Sequence, residues 1–361
     1  MTPSGVIRVA CIAGDGIGPE VVREARRVLD AVAEVHGSVK FEYTDFPWSC
    51  GYYAEHGKMM PDDALRVLGD FDTIFLGAVG WPGVPDHISL WGLLIPIRRH
   101  FQQYVNIRPV KLLRGMQSPL RDQEPDDIDF VVVRENSEGE YSDIGGRIHS
   151  GTPLDAAVQV NYFSRVGVER TVRYAFELAR LQGRRSVTGA TKSNGIVYSM
   201  PFWDEIFEEV AGEYSDVDAR LILIDALAAF FVTRPDTFEV VVASNLFGDI
   251  LTDIGGAVMG SIGVAPAANL NPEREHPSMF EPVHGSAPDI AGRGIANPIG
   301  QIWTAKLLLD FFDFGEVSEL VLEAIQAGLE AGIKTPDLGG EASTTEVGDA
   351  IVEHILNGGS R

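Results

Sequence analysis

The chain has 361 residues, 45% of them hydrophobic, which is enough for one large or two modest domains with buried cores. Its formal net charge of −23 would repel nucleic-acid phosphates and anionic lipid headgroups, so neither nucleic acid nor a membrane is expected as a partner. The longest apolar stretch, Leu221–Val232, is too short to span a bilayer, and two cysteines are too few for a disulfide framework or a cysteine-based zinc site, so we expect a cytoplasmic protein.

Short β-rich runs alternate with helical periodicity along the chain, which is typical of the α/β class. The first strand is predicted over Val6–Ala13, and a helix follows whose apolar residues recur from Val21 to Val32. Further strands are predicted at Thr73–Leu76, Phe130–Val133, Ser186–Thr191, Leu221–Ile224 and Val240–Ala243. The C-terminal part is predicted to be mainly helical, over Gln301–Phe311, Glu316–Ala331 and Thr345–Leu356.

A glycine-rich segment, Gly14–Glu20, follows the first predicted strand. Its spacing suggests a dinucleotide-binding fingerprint, but Pro19 stands where that fingerprint needs a glycine, which argues against a Rossmann fold. Proline suits the first turn of a helix. The segment is therefore either a tight strand-to-helix connection or a ligand contact, and the sequence alone does not separate the two.

Three aspartates could form a metal site. Asp249 and Asp253 are four residues apart in a helical pattern, so their carboxylates would share one helix face. Asp225 interrupts an otherwise apolar strand. Together they could form an all-oxygen site suited to Mg²⁺ or Mn²⁺. The alternative for the helical pair is a solvated acidic face.

Five further residues have side chains that could bind or transform an anionic substrate. Because the whole molecule is acidic, such a substrate would need local arginines, and the guanidinium groups of Arg98, Arg108 and Arg134 can bind carboxylates bidentately. We expect Arg98 in a helix and the other two near strand ends. Lys192 follows a predicted strand and could act as a base beside a metal, while Tyr141 could donate a proton. The alternative is that these are unrelated surface or packing residues.

The loop Asn269–Pro298 is too long for a plain connection and suits a binding loop. Its segment Phe280–Gly292 has small residues where a planar adenine could lie. Asp289 could accept a hydrogen bond from a ribose hydroxyl and would repel a 2′-phosphate. The alternative is an Asx-type turn with a structural histidine.

The order and spacing of these motifs resemble those of the metal-dependent β-decarboxylating dehydrogenases, the family of 3-isopropylmalate, isocitrate and tartrate/D-malate dehydrogenases, across essentially the whole chain. The stretches Tyr52–Pro61 and Val84–Gly92 are most similar to the D-malate and tartrate branch. The resemblance implies an α/β fold with an open mixed sheet like that of isopropylmalate dehydrogenase, which is not a Rossmann fold. It also implies two domains, one formed by residues 1–107 with 261–361 and the other by 108–260.

The resemblance also implies a role for each candidate residue. Lys192 would be the general base and Tyr141 the general acid, while Asp225, Asp249 and Asp253 would hold Mg²⁺ or Mn²⁺. The substrate would be bound by Arg98, Arg108, Arg134 and Ser89. The NAD pocket, in which Asp289 selects NAD over NADP, would be lined by Glu281, His284, Gly285, Ala287, Asp289, Ile290 and Asn297.

In the family, Lys192 and Asp225 reach the site from the neighbouring subunit, so the resemblance implies a homodimer with shared active sites. Stacking of dimers into a tetramer and a potassium requirement are left open. The activity implied is NAD-dependent oxidative decarboxylation of D-malate to pyruvate and CO₂, with tartrate as a further substrate. One alternative is 3-isopropylmalate, whose apolar tail would need an apolar wall around residues 87–94. Another is a non-catalytic regulatory subunit, although such subunits usually lose catalytic residues that this chain retains.

Overall fold

In the computed structural model, residues 5–37 and 39–358 are described. The strands over these ranges are β1 Val6–Gly14, β2 Lys40–Asp45, β3 Thr73–Ala78, β4 Val105–Lys111, β5 Asp129–Glu135, β6 Gly145–Ile148, β7 Ala156–Gln159, β8 Ser186–Thr191, β9 Asp218–Leu223, β10 Val240–Ala243, β11 Pro266–Leu270 and β12 Ser278–Pro282. The helices are α1 Gly18–His36, α2 Cys50–His56, α3 Ala64–Leu68, α4 Asp86–Ser89, α5 Ile95–His100, α6 Arg165–Leu181, α7 Ser199–Ala211, α8 Ile224–Thr233, α9 Asn245–Met259, α10 Ile299–Phe311, α11 Gly315–Glu330 and α12 Thr344–Leu356. A π-helical turn, Leu90–Leu94, joins α4 to α5.

Ten of these strands form one mixed sheet, in the order β2-β1-β3-β12-β11-β4-β5-β10-β8-β9. Strand β11 is antiparallel to β12 and β4, and β4 is antiparallel to β5, whereas the other neighbours are parallel. The antiparallel strands at the centre distinguish this sheet from the parallel Rossmann sheet. The predicted fold class, an open mixed α/β sheet without Rossmann topology, is confirmed.

Strands of the two predicted domains lie at opposite ends of this sheet, and β4 crosses the predicted boundary after residue 107. One half of the sheet contains β1, β2, β3, β11 and β12, and the other half contains β4, β5, β8, β9 and β10. The two halves meet where β11 pairs with β4. One large hydrophobic cluster contains residues from both sides. The division into two domains stays a prediction. Among the described residues, no helix is both long and apolar enough to cross a membrane.

The glycine-rich segment after β1 forms the tight connection to α1, and a ligand contact by this segment stays a prediction. Gly16 has a positive φ of 60°, and a Cβ there would lie 1.9 Å from the Ser286 carbonyl oxygen, so only glycine fits without a shift. The Asp15 carboxylate accepts from the backbone N–H of Cys50, and Ile17 N–H donates to the Ser286 carbonyl at 2.9 Å. The turn between β1 and α1 is therefore hydrogen-bonded to the loop after β12.

The strand predicted at Leu221–Ile224 begins three residues earlier and ends one residue earlier than expected, and Asp225 does not lie in a strand. Strand β9 ends at Leu223, and Asp225 lies in the first turn of α8. The apolar run therefore divides between a strand and a helix. A carboxylate suits this position because the first turn of a helix has unpaired N–H groups and a partial positive charge.

Candidate active site

The antiparallel pairing at the middle of the sheet places several polar side chains on one face. Asn106 in β4 lies opposite Arg134 in β5 and opposite Asn269 in β11, and Arg108 is two residues further along β4. Glu281 in β12 lies opposite the residue two before Asn269. Because side chains alternate along a strand and directly paired residues share a face, all five lie on the same side of the sheet.

Arg108 and Arg134 are buried, and both contact Asp249 from α9. Arg134 Nη1 lies 2.5 Å from Asp249 Oδ1, and Arg108 Nη2 lies 3.5 Å from the same oxygen. Asn245 Oδ1 accepts from Arg134 Nε and Nη2, and Thr252 Oγ1 accepts from Arg108 Nη1 at 2.6 Å. The protein itself therefore fixes the orientation of both guanidinium groups, which favours binding of a carboxylate in one register.

The prediction that Arg108 lies near a strand end is wrong, because β4 continues to Lys111. That prediction depended on Pro109, which cannot donate a hydrogen bond to a neighbouring strand. Strand β11 pairs only with residues 105–107 of β4, so Pro109 lies beyond that part of the ladder. Arg134, in contrast, is the last residue but one of β5, as predicted.

The third predicted arginine, Arg98, comes from α5 and reaches the same region. Its Nη2 donates to Glu281 Oε1 at 2.5 Å, and both side chains are buried. Its Nε is also buried and has no hydrogen-bond partner among the described residues, which leaves a donor for a ligand. A cavity of about 160 Å³ has a wall that includes Leu94, Arg98, Arg108, Glu281, His284 and Gly285. Predicted substrate and cofactor residues thus line one cavity.

Tyr141 contacts the same aspartate as the arginines. Its hydroxyl donates to Asp249 Oδ2 at 3.0 Å, and the Arg134 guanidinium lies 5.6 Å from the centre of its ring. Burial and the charge of Asp249 raise the pKa of Tyr141. The phenol is therefore protonated at neutral pH, as a proton donor must be.

Asp249 and Asp253 lie one turn apart on α9. Burial opposes ionisation of Asp249, but the charges of Arg134 and Arg108 outweigh it and hold the pKa of that carboxyl below its usual value. Burial and then the charge of Asp249 raise the pKa of Asp253. A hard cation beside both carboxylates would relieve this repulsion, so the donor set fits Mg²⁺ or Mn²⁺.

Lys192 and Asp225 form a separate ion pair, after the end of β8 and at the start of α8. Lys192 Nζ lies 2.7 Å from Asp225 Oδ1, and this hydrogen bond lowers the pKa of Asp225, whose side chain is 65% exposed. Within the described residues, no three or more histidine, cysteine, aspartate or glutamate side chains are arranged to hold a metal ion. A single chain therefore does not bring Asp225 to the other two predicted ligands, and their convergence across two subunits stays a prediction.

The predicted cofactor residues begin at the end of β12. The His284 ring is buried, its Nδ1 lies 3.0 Å from the Gly285 carbonyl oxygen, and its Nε2 has no partner among the described residues. Burial lowers the pKa of His284, which keeps the ring neutral at neutral pH. A Cβ at Gly285 would meet open space. A buried ring nitrogen without a partner, beside open space, fits a polar ligand such as NAD.

The rest of this loop forms a wall around that space. Ala287 and Ile290 pack against a small apolar cluster at the start of α1, whereas Asp289 is exposed. Asn297 Nδ2 donates to Asp337 Oδ2 at 2.9 Å, which ties the end of the loop to the C-terminal segment. The contacts of these residues with NAD stay predictions.

The sequence pattern of the isocitrate/isopropylmalate dehydrogenases matches residues 8–351. The chain belongs to this family. Among solved structures, an isocitrate dehydrogenase from Methylococcus capsulatus is 31% identical in sequence to this chain. The two structures superpose with a TM-score of 0.88, and the match covers 97% of this chain and 99% of the isocitrate dehydrogenase chain.

Three curated relatives are more similar in sequence. A probable tartrate dehydrogenase/decarboxylase of Bacillus subtilis is 58% identical over 348 residues, which cover 96% of this chain and 97% of the relative. D-malate dehydrogenase (decarboxylating) of Escherichia coli is 54% identical, and the match covers 97% of this chain and 99% of that relative. A tartrate dehydrogenase/decarboxylase of Pseudomonas putida is 53% identical, with 98% and 99% covered. The predicted resemblance to the D-malate and tartrate branch is confirmed.

Residues 87–94 of this chain lie partly in the hydrophobic core and partly along two cavities. The sequence suggested that residues 87–94 could form an apolar wall for 3-isopropylmalate. Leu93 is fully buried in a hydrophobic cluster, so it cannot be part of such a wall. Leu94 lines the arginine cavity, while His87 and Trp91 line a cavity of about 470 Å³ beside Tyr141. His87 and Trp91 thus line a different cavity from Arg98 and Arg108, and Leu94 is the residue of this segment that lines the arginine cavity.

Two other residues of α4 and α5 support this region. Ser89, a predicted substrate contact, is buried and donates its hydroxyl hydrogen to the Asp86 carbonyl at 3.0 Å. Its contact with the substrate stays a prediction. Arg99, which sequence reasoning missed, donates to the Tyr141 carbonyl at 2.8 Å and lies over the ring of Trp91.

Sequence reasoning also missed the residues that orient the arginines, which are Asn106, Asn245, Thr252 and Asn269. The signal for two of them was present. In β4 a polar residue, Asn106, precedes Arg108 by two positions, and Thr252 follows Asp249 by three positions on the helix carrying the aspartates. No local pattern identifies Asn269, because its partners come from other strands.

Gly248 permits α9 to approach the arginine strand. A Cβ at this position would lie 2.6 Å from Arg134 Cγ and 3.3 Å from Arg134 Cα. Arg134 would have to move, and its contacts with Asn245 and Asp249 would change with it.

Gly248→Ala is therefore expected to raise KM for the diacid about tenfold. Its thermal stability should change little, because alanine in a helix is favoured over glycine by about 1 kcal/mol, which offsets part of the steric cost. Steady-state kinetics and thermal unfolding measure the two effects. The matched control is Gly328→Ala in α11, where a Cβ meets nothing within 4 Å. An unchanged KM in the Gly248 variant would show that this close contact does not position Arg134.

Proposed function

We propose that this chain is an NAD-dependent, divalent-metal-dependent dehydrogenase that oxidises D-malate and decarboxylates the product to pyruvate and CO₂, with tartrate as a further substrate. The observation that carries the proposal is the convergence of Arg98 and Arg108 on one small cavity, with Arg134, Tyr141 and Asp249 in contact beside it. The relatives named for D-malate and tartrate support the substrate class.

The arginines match a small dicarboxylate. Their charges offset the overall charge of −23 locally, and Arg98 and Arg108 line one cavity that would receive the diacid. Burial and the neighbouring charge of Arg134 lower the pKa of Arg108 to about 10, which still leaves it cationic at neutral pH. Two carboxylates held by fixed guanidinium groups leave the C2 hydroxyl in one orientation.

Asp249 and Asp253 from one subunit, with Asp225 from its partner, would hold the divalent cation. The wall from Glu281 to Asn297 would hold NAD, with the exposed carboxylate of Asp289 disfavouring a 2′-phosphate. When bound, the cation supplies a Lewis acid at the C2 oxygen, and NAD supplies the acceptor for the hydride that leaves C2.

The chain's own residues would move two protons. Lys192, as the neutral amine, would accept the proton of the C2 hydroxyl at Nζ as the hydride passes from the same carbon to NAD. After loss of CO₂, the Tyr141 phenol gives its proton to C3, which produces pyruvate. The hydrogen bond between Tyr141 and Asp249 keeps the phenol oriented toward the arginine side of the site.

This arrangement requires two subunits. In one chain the exposed Lys192–Asp225 pair is separate from the Arg134–Tyr141–Asp249 group, and the three aspartates form no cluster in the described part of the chain. A second copy would bring its own Lys192 and Asp225 to that group, so each active site is shared in a homodimer.

The proposal is tested by steady-state rates with D-malate, tartrate and 3-isopropylmalate, each with NAD or NADP. D-malate with NAD should be turned over fastest, and EDTA should abolish the rate until Mn²⁺ or Mg²⁺ is added in excess. Faster turnover of 3-isopropylmalate would contradict the substrate assignment. A properly folded protein without turnover of any diacid would instead indicate the non-catalytic regulatory subunit.

A further inference from the structure

Asn269 lies at the centre of a buried hydrogen-bond network beneath the cavity. Its Oδ1 accepts from Asn106 Nδ2 and from Asn136 Nδ2, each at 2.9 Å, and its Nδ2 donates to Glu281 Oε1 at 2.7 Å. The side chain is fully buried. A buried amide with all these partners satisfied has one orientation, since rotating it would leave several polar atoms unpaired.

Both ends of this network reach a predicted substrate arginine. At one end, Asn106 Oδ1 accepts from Arg108 Nε at 2.7 Å. At the other end, Glu281 Oε1 accepts from Arg98 Nη2 at 2.5 Å as well as from Asn269. Two asparagines and one glutamate therefore connect two guanidinium groups that line the same cavity.

The network also crosses the middle of the sheet. Asn269 and Asn106 are direct partners in the antiparallel β11–β4 pair at the middle of the sheet. Glu281 belongs to β12, immediately before the predicted NAD loop. Any displacement of Asn269 is transmitted to Arg98 through Glu281 and to Arg108 through Asn106.

We propose that Asn269 is a positioning residue that sets Arg98, Arg108 and Glu281 together, and so couples the binding of the diacid to the binding of NAD. This inference rests on the proposed function. Asn269 touches neither ligand in this proposal and acts only through the three side chains. Asn106 transmits the effect to Arg108 alone, since its other bond is to Asn269.

Three alanine variants separate this role from simple packing. Asn269→Ala removes the link to both ends, and Asn106→Ala removes the link to Arg108. Asn136→Ala is the matched control, because Asn136 is similarly buried and donates to the same oxygen of Asn269 but makes its other bond to the Gln103 carbonyl. All three lose one buried amide, so packing alone predicts similar effects.

The measurements are calorimetric Kd values for NAD alone and for D-malate with Mn²⁺, together with kcat and thermal unfolding. Asn269→Ala should weaken binding of both ligands about tenfold, and Asn106→Ala should weaken only D-malate by about tenfold. Asn136→Ala should leave both Kd values within about twofold while lowering thermal stability. In all three variants kcat should fall less than about threefold, because Lys192 and Tyr141 are unchanged.

Equal losses of affinity in all three variants, or losses that follow thermal stability alone, would overturn the proposal. Should Asn269→Ala not fold, Asn269→Asp keeps the shape and the accepting oxygen but places a carboxylate oxygen against Glu281. It should weaken both ligands, and unchanged binding would overturn the proposal. If the parent protein binds neither NAD nor D-malate, the proposed function is contradicted. If the parent binds both but the three variants do not differ in Kd as expected, only the role of Asn269 is contradicted.

Discussion

Replacing Lys192 with alanine is expected to lower kcat for D-malate oxidation by about a hundredfold or more. The C2 hydroxyl must lose a proton as the hydride leaves, and Lys192 Nζ is the group assigned to accept it. The hydrogen bond to Asp225 holds that nitrogen in place, with Nζ 2.7 Å from the carboxylate oxygen. KM should change much less than kcat, because the arginines that bind the carboxylates are untouched.

The matched control is Lys58→Ala, since Lys58 makes an ion pair of similar length, 2.8 Å to Asp62, outside the site. Its removal should leave kcat and KM unchanged. Both variants should keep the thermal stability of the parent, because exposed ion pairs contribute at most about 1 kcal/mol. A Lys192→Ala protein that oxidises D-malate at the parent rate would show that another group, or water, accepts the proton.

Much of the fold could be predicted because its elements carry local periodic signals. The strands over residues 186–191 and 240–243 begin and end at the predicted residues, and the three C-terminal helices match within two residues at each end. Two segments were predicted less well. The run Leu221–Val232, in which only Asp225 is charged, does not show where β9 ends and α8 begins, and the predicted loop Asn269–Pro298 contains β12.

The site was predictable where chemistry and spacing coincide. Asp249 and Asp253 share a helix face because they are four residues apart, and Arg134 is the last residue but one of a valine-rich strand. Contacts between distant segments were not predictable in this way. The bond from Glu281 to Arg98 joins residues 183 positions apart, and Asn269 is an uncharged residue whose role depends entirely on which strands lie beside it.

The second prediction with a large expected effect on activity concerns the two subunits that would share each active site. Lys192→Ala removes the proton acceptor from one half, and Asp253→Asn removes a metal ligand from the other. Asp253 is the better choice on α9 because Asp249 also contacts Arg134 and Tyr141, so replacing it would disturb the substrate arginine and the proton donor. Each variant alone should lose nearly all activity, because in a symmetric homodimer both sites carry the same defect.

Mixing these two variants under conditions that exchange subunits tests the shared site most directly. In a mixed dimer, one site receives both altered residues and the other receives neither. With equal amounts and random exchange, half of the dimers are mixed, so the specific activity should recover to about one quarter of the parent value. The same mixture without exchange should show none of this recovery. An exchanged mixture no more active than the two separate variants would contradict a site in which Lys192 and Asp225 of one subunit meet Asp249 and Asp253 of its partner.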